Sequence, residues 1–453
     1  MTQQPQENKM GVMPVNRLLL TMSLPMMISM LVQALYNVVD SVFVSYISED
    51  ALAAVGLAFP AQNLMISVAV GTGVGINALL SKSLGEKNFE TANQAAVNGV
   101  FLAFCSWAVF AVLGGFFSRT FMTLQTQVDS IISYGTTYLS IVSVVCVGMM
   151  FQICFERLLQ STGKTIFTMI SQATGAVINL ILDPLLIFGL GPFPEMGIAG
   201  AALATAIGYC IPALGGLRFF SRNRSGLRFI RPRWDFTVLL KSCANGASEM
   251  VTNLASSIIT VIFNLILMAW IGTDGVAAIT VIMYAQFLMV AFFMGFSIGV
   301  APVFGFHYGA GNHQYLLHIR DHCIRFVLGA SVVVCAVSFL SSGLIAVIFT
   351  PEGSLSAQLV NRGMRLFSLS FLFAGYNIFA SALFTALSDG RTSALISFAR
   401  TFFFILAGIW LMTTLLGLDG LWLAIPFAEL VTAGLSFYMI RTRFLADAQK
   451  MDE

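Results

Sequence analysis

The feature that most constrains this chain is a series of twelve apolar runs, each long enough to cross a bilayer as a helix. A hydrocarbon core of about 30 Å needs roughly 20 apolar residues per helix, and the buried backbone must satisfy its hydrogen bonds internally. Of the 453 residues, 57% are hydrophobic and only 10% are charged, which excludes a water-soluble domain. The sequence therefore predicts an all-α polytopic membrane protein.

The spacing of the runs predicts twelve transmembrane helices in two six-helix bundles. The predicted helices span residues 16–46, 51–81, 93–117, 131–158, 164–190, 197–219, 237–270, 275–306, 319–349, 362–387, 392–416 and 420–441. The predicted domains are an N-terminal tail (1–15), a first lobe (16–219), a basic linker (220–236), a second lobe (237–441) and a C-terminal tail (442–453).

The placement of basic residues predicts the orientation in the membrane. If both termini are cytoplasmic, 20 of the 23 Lys and Arg residues lie in or toward cytoplasmic segments and 3 lie outside. Cytoplasmic loops carry such an excess of Lys and Arg. The basic stretch 218–234 then connects the lobes on the cytoplasmic side, although its charge alone would also suit anionic lipid.

The two predicted lobes are internal repeats. The segment AVGLAFPAQ (54–62) recurs as AITVIMYAQ (278–286) at an offset of 224, and STGKT (161–165) recurs as SDGRT (388–392) at an offset of 227. Transporters with repeats of the same topology bind cargo between their halves and rock the halves to alternate access.

Acidic residues inside the predicted helices distinguish the two repeats. In the first lobe, Asp40, Glu156 and Asp183 have the non-acidic counterparts Asn264, Leu383 and Trp410 in the second. A charge at the bilayer centre costs about 2.5–3.5 kcal/mol, so such acids indicate function. The structural alternatives are a protonated acid held by hydrogen bonds or an acid at a helix end, and Glu156 also has Arg157 beside it. Intramembrane Glu249 and Glu429 are further candidates with a weaker case.

Motifs for enzymatic chemistry are not apparent in the sequence. GKT at 163–165 resembles the end of a phosphate-binding loop, but Leu158 stands where the required glycine would be. His307, His313, His318 and His322 are expected in a solvated loop rather than at a metal. The seven cysteines are scattered and are expected to be small buried hydrophobes. The absence of a nucleotide motif favours an ion gradient as the energy source.

Several segments resemble the multidrug and toxic compound extrusion (MATE) family, in its DinF/MepA-like bacterial branch. They are SLPMMISMLVQALYNVVDSVFVSY, ALAAVGLAFPAQ, SKSLGEKN, FERLLQSTGKT and VINLILDPLLIFGLG, and the similarity covers nearly the whole chain. The resemblance implies two lobes in a V shape, related by a pseudo-two-fold axis along the membrane normal. It also implies export of bulky, often cationic amphiphilic drugs and dyes in exchange for H⁺ or Na⁺.

The resemblance also implies site residues, with no organic cofactor. The expected ion-coupling residues are Asp40, Asp183, Asn179, Tyr138 and Thr205, and an alternative Na⁺ would bind at Asp40, Asn179 and Asp183. We expect the cargo to contact Glu156, Asp183, Tyr36, Asn37, Gln33 and Met65. Another branch of the family uses acids in helices 7 and 10, but the tenth helix of this chain has none.

The resulting hypothesis is a monomeric multi-pass antiporter in the inner membrane of a bacterium, without nucleic-acid partners. Protonation of Asp40 and Asp183 from outside would change helix packing and expel cargo. One alternative is a flippase for a lipid-linked saccharide, which would need basic residues in its cavity, whereas the predicted interior is acidic and almost free of bases. A channel or an intramembrane enzyme is the other alternative.

Overall fold

The structure is a computed structural model that describes residues 9–45, 47–221, 227, 236–350 and 353–444. Within these ranges the side chains of residues 9, 37, 38, 40–42, 44, 45, 49, 52 and 236–238 lie outside the description. Most of the predicted linker and part of each tail also lie outside it, so the predicted domain boundaries stay a prediction.

The first half of the chain forms six membrane-spanning helices. They are α1 (Val15–Ser45), α2 (Glu49–Gly85), α3 (Phe89–Thr123), α4 (Asp129–Val145 and Val147–Ser161), α5 (Thr165–Ile187) and α6 (Ile198–Ser221). A short helix, Lys9–Val12, precedes α1. The two segments of α4 meet at a 45° bend, which the sequence analysis did not anticipate.

The second half forms six more. They are α7 (Phe236–Trp270), α8 (Thr273–Gly309), α9 (His313–Leu340 and Ser342–Phe349), α10 (Leu355–Ala386), α11 (Gly390–Leu416) and α12 (Leu418–Phe444). Counting the bent α4 as one span, the described part of the chain contains twelve helices that are long and apolar enough to cross a membrane. The predicted all-helical fold is confirmed.

Helix α1 belongs to the packing of both halves. It lies against α5 of the first half and α8 of the second. Its residues Leu18, Leu19 and Met22 are buried in a hydrophobic cluster formed mainly by α8, α9 and α10. A change in the position of α1 therefore alters the contact between the halves.

Glycines bring the backbones of the two halves together along three helix pairs, α1 with α8, α2 with α7 and α2 with α8. A Cβ added to Gly299 would lie 2.6 Å from Cα of Ser23, and one added to Gly71 would lie 3.0 Å from the carbonyl oxygen of Gly246. Closest approaches of the same kind join Gly295 to Met27, Gly75 to Ser242, Gly85 to Phe306 and Gly309 to Lys82. Small residues permit such backbone contact between membrane helices. We call this set of contacts the seam.

The seam lies toward one face of the helix bundle. This face, which we call the terminal face, carries the helix Lys9–Val12 and the turns at 86–88 and 310–312. Toward the middle of α2, a hydrogen bond from Asn63 Nδ2 to Ser257 Oγ (2.7 Å) also joins the halves. The halves are therefore in direct contact from the terminal face to about the centre of α2.

His307 departs from the expectation of a solvated loop. It is 4% exposed at the end of α8, and its Nε2 atom lies 2.8 Å from the carbonyl oxygen of Met10. The helix Lys9–Val12 packs over α8 and buries the imidazole. The expected solvation was therefore wrong for His307.

Candidate functional site

A cavity lies entirely within the first half, between α1, α2, α4, α5 and α6. Its volume is about 100 Å³. Five of the residues expected at ion or cargo sites line it: Gln33, Tyr36, Glu156, Asn179 and Thr205. The structure thus gathers these residues around one space, although they come from four helices.

Two expected site residues lie elsewhere, in the hydrophobic core of the first half. Met65 is 2% exposed there, and its neighbour Ile66 lines the cavity instead. Tyr138 is 3% exposed in the same core, with its hydroxyl donating to Gln62 Oε1 at 3.4 Å. Met65 is turned away from the cavity because adjacent positions on a helix point about 100° apart. Tyr138 lies in the first segment of α4, whereas the α4 residues that line the cavity all belong to the second segment.

Two further expected residues, Asp40 and Asn37, have side chains that lie outside the described residues. Their backbone is part of α1, on the side of Tyr36 that is farther from the terminal face. Their assignment to the ion and cargo sites stays a prediction.

The Glu156 carboxylate is held by two neutral amides. Oε1 accepts a hydrogen bond from Gln152 Nε2, and Oε2 accepts one from Gln172 Nε2, both at 2.8 Å. Gln152 precedes Glu156 by one helical turn, so the i, i+4 spacing brings the two side chains together. Glu156 is 4% exposed. The amide donors satisfy both carboxyl oxygens without supplying a counter-charge.

Arg157 is a cavity residue that the sequence analysis did not assign. It is 7% exposed, lines the cavity, and donates from Nη1 to Gln160 Oε1 at 3.0 Å. Its stem packs beside Gly73, where an added Cβ would lie 2.9 Å from Cγ of the arginine. This guanidinium borders the same space as Glu156 and is the one basic residue among the described residues that line the cavity. Its position next to Glu156 in the sequence was the available signal.

Asn179, Asp183 and Thr205 form a second polar cluster. Asn179 Nδ2 donates to Asp183 Oδ1 at 3.3 Å and to Thr205 Oγ1 at 3.4 Å. Close approach of α5 to α6 brings Thr205 within reach, since a Cβ on Gly175 would lie 2.7 Å from the carbonyl oxygen of Gly208. The structure therefore joins three of the five expected ion-coupling residues.

The acids of the second half have different surroundings. Glu429 accepts from Arg400 Nε at 2.8 Å and from Asn377 Nδ2 at 2.7 Å. Arg400 therefore supplies a counter-charge to the Glu429 carboxylate, whereas the hydrogen-bond partners of the Glu156 carboxylate are neutral amides. Glu249 is half-buried on α7.

Comparison with known proteins identifies the family of this chain. A model of the MatE family matches residues 25–185 and 249–410, one stretch in each half. The chain belongs to the MatE family. MatE proteins are transporters, not enzymes. This confirms the expected family and the expectation that the chain is not an enzyme.

Relatives within this family are named after different transported compounds. A "FAD transporter" of Shewanella oneidensis is 27% identical over 322 residues, which is 70% of each chain. A "Multidrug export protein MepA" of Staphylococcus haemolyticus is 23% identical over 444 residues, or 95% of each chain. A MepA of Staphylococcus aureus is 21% identical over 453 residues, or 97% of each chain.

Solved structures share the fold of this MatE chain. An outward-facing multidrug resistance MATE transporter of the MOP superfamily aligns with a TM-score of 0.92, at 23% identity over 99% of this chain and 100% of the other. A MOP superfamily transporter from Pyrococcus furiosus, described as having a binding pocket of reverse polarity, aligns at 0.90 and 23% identity over 100% of both chains.

Proposed function

We propose that this MatE protein is a secondary active multidrug efflux antiporter that exports bulky, often cationic amphiphilic compounds in exchange for H⁺ or Na⁺. The observation that carries the proposal is the Glu156 carboxylate, which borders the cavity with neutral amides as its hydrogen-bond partners. A cation bound there gains an electrostatic partner in a medium of low dielectric constant. The MepA relatives, named as multidrug export proteins, support the same cargo class.

The orientation that we propose places the terminal face and both termini in the cytoplasm of a bacterium, with the protein as a monomer in the plasma membrane. The excess of Lys and Arg in segments assigned to that side supports this. The seam would then close the cytoplasmic side, so this conformation would release cargo outward. The similarity to an outward-facing transporter is consistent with that assignment.

The cavity volume adds a requirement for movement. Sites for drug-sized ligands are usually about 300–1,000 Å³, whereas this cavity measures about 100 Å³. In the proposed cycle the cavity would therefore widen before it takes up bulky cargo. The contracted state would favour cargo release.

The coupling ion would act at Asp183 with Asn179 and Thr205, helped by Asp40. A proton on Asp183 removes the negative charge that accepts from Asn179 Nδ2. A Na⁺ ion would instead use the carboxylate, the amide oxygen of Asn179 and the hydroxyl of Thr205, which are the hard oxygen ligands that such cations prefer. In either form no organic cofactor takes part.

The ion gradient supplies enough free energy for useful export. One charge moved across 100 mV is worth about 2.3 kcal/mol, which corresponds to roughly a forty- to fifty-fold concentration ratio of a neutral drug.

The test of this function is dye transport in proteoliposomes, with pH and sodium gradients imposed separately. We expect Glu156→Gln to raise the KM for a cationic dye about ten-fold or more while a neutral substrate is less affected. We expect Asp183→Asn to abolish exchange driven by the coupling ion. Glu195→Gln is the matched control, because Glu195 is an exposed acid in the loop before α6. Undiminished ion-coupled exchange in Asp183→Asn would reject the coupling assignment.

Arg157 favours a second candidate function, transport of an anionic aromatic cargo such as FAD. A buried guanidinium at the cavity wall can pair with a phosphate, and a relative is named as an FAD transporter. The same vesicles decide between the candidates. Transport of FAD that Arg157→Gln removes would favour this function, whereas cationic dye transport without FAD transport would exclude it.

The flippase alternative has less support. Recognition of a lipid pyrophosphate would use several basic residues, and among the described residues that line the cavity only Arg157 is basic. Transport of a lipid-linked saccharide without transport of dye would establish that alternative.

A further inference from the structure

The two glutamines that donate hydrogen bonds to the Glu156 carboxylate differ in the hydrogen bonding of their own amide oxygens. The amide oxygen of Gln172 accepts a hydrogen bond from the hydroxyl of Ser29 on α1. The amide oxygen of Gln152 is buried and has no hydrogen-bond partner among the described residues. Gln172 is therefore tied at both ends of its amide, whereas Gln152 is tied at one. Among the described residues, only Gln172 connects the cavity carboxylate to another helix.

Helix α5 anchors α1 at two points, one on each side of Pro25. Pro25 has no N–H to donate to the carbonyl oxygen of Thr21, one turn earlier. Thr165 at the start of α5 donates to that oxygen at 3.0 Å. Two turns further along α5, Gln172 pairs with Ser29 beyond the proline. The Gln172 anchor is the one that also reaches the carboxylate.

The α1 end of this connection lies beside the seam. Ser29 is 1% exposed and follows Met27 by two residues. A Cβ on Gly295 of α8 would lie 2.5 Å from Cα of Met27, so a small movement of α1 here is transmitted to the second half. A continuous path thus runs from Glu156 through Gln172 and Ser29 to the contact between the halves.

We infer that Gln172 is a positioning residue that transmits occupancy of the Glu156 carboxylate to α1 and thereby to the seam. A cation at Glu156 competes with the Gln172 amide for Oε2. When the Gln172 amide leaves Oε2, the side chain moves and its hydrogen bond with Ser29 breaks. The part of α1 beyond Pro25 is then no longer held to α5. The inference rests on the proposed role of Glu156 in cargo binding, and it assigns to Gln172 the step from binding to movement.

The experiment separates cargo affinity from the response of the seam. Ser29→Ala removes the link and leaves Gln172 beside Glu156, and Gln172→Met removes both hydrogen bonds at similar side-chain length. Thr174→Val is the matched control, because Thr174 is an exposed residue of α5 whose hydroxyl donates only to Ile170 within its own helix. Binding of a cationic dye is measured by fluorescence anisotropy. Hydrogen–deuterium exchange then follows the seam segments of α1 and α8, with and without dye.

We expect dye to change exchange at the seam in the wild-type protein and in Thr174→Val. In Ser29→Ala we expect the Kd of the dye to stay within about three-fold while the exchange response is lost. Its transport rate at saturating dye should fall about two- to ten-fold, the size of one neutral hydrogen bond. Gln172→Met should likewise lose the exchange response.

An exchange response that persists in both Ser29→Ala and Gln172→Met overturns the inference, whether or not affinity changes. Failure of the proposed function has a different signature. In that case the wild-type protein does not bind the cationic dye, or Glu156→Gln leaves dye binding unchanged.

Discussion

Substitution of Gly299 by alanine tests whether the seam controls the conformational equilibrium. The added Cβ would lie 2.6 Å from Cα of Ser23 and 2.7 Å from the carbonyl oxygen of Met22. Ordinary contacts of this kind begin near 3.4 Å, so α1 and α8 must separate by roughly 0.8 Å in the closed seam. Overpacking of this size costs about 1–3 kcal/mol. A state in which the halves have separated on this side has no such overpacking, because α1 and α8 are no longer in contact there.

The expected result is a shift of population toward the state in which the terminal face is open. At 1.36 kcal/mol per factor of ten, the ratio of open to closed molecules should rise about 5- to 150-fold. Spin labels at Phe89 and Gln314 report this ratio as a distance distribution, because both residues are exposed at the terminal face, one in each half. The labels are placed in a chain whose seven native cysteines have been replaced.

The matched control is Gly329→Ala on α9, where an added Cβ meets no atom within 4 Å. This control should keep the wild-type distance distribution and dye transport. Gly299→Ala should transport dye more slowly and remain monodisperse. The reasoning is refuted if the distance distribution of Gly299→Ala matches that of Gly329→Ala.

Further predictions concern polar pairs elsewhere in the fold. Glu429→Gln removes the carboxylate that accepts from the partly buried Arg400, so we expect a loss of about 1.5–3 kcal/mol in stability and a lower Tm in a thermal-shift assay. Arg362→Ala removes an exposed ion pair with Asp419 and should change the free energy of unfolding by no more than about 1 kcal/mol; a larger loss would contradict the screening argument. Asn63→Ala removes a hydrogen bond between the halves, and we expect about a two- to ten-fold rise in the open-to-closed ratio of the same spin-label pair.

The extents of the helices could be predicted because the length of an apolar run is a local property. The eighth helix was predicted at 275–306 and is Thr273–Gly309, and the eleventh at 392–416 is Gly390–Leu416. The bend in α4 could not be predicted, because the break at Cys146 contains no proline and hydropathy reports length rather than direction.

The sequence predicted several residues of the site, but it did not predict how their side chains are arranged in space. Glu156, Asn179 and Thr205 were expected and do line one cavity, because polar groups inside apolar helices stand out in the sequence. The placement of Met65 and Tyr138 in the core could not be predicted from the sequence. Their helices are apolar on several sides, so the hydrophobic pattern does not indicate which side faces the core. The contact of Gln172 with Glu156 joins α5 to α4, and no local pattern reports which polar residues meet across helices.

The confinement of the cavity to one half has a consequence for evolution under drug selection. Side chains of α1, α2 and α4–α6 line the cavity, whereas the closest approaches at the seam are between backbones at glycines. If cargo binds in this cavity as proposed, replacements in its wall would broaden or narrow the range of exported compounds without changing the contacts at the seam. Resistant strains should accumulate changes in the wall and keep the glycines, where even one added carbon obstructs the opposing helix.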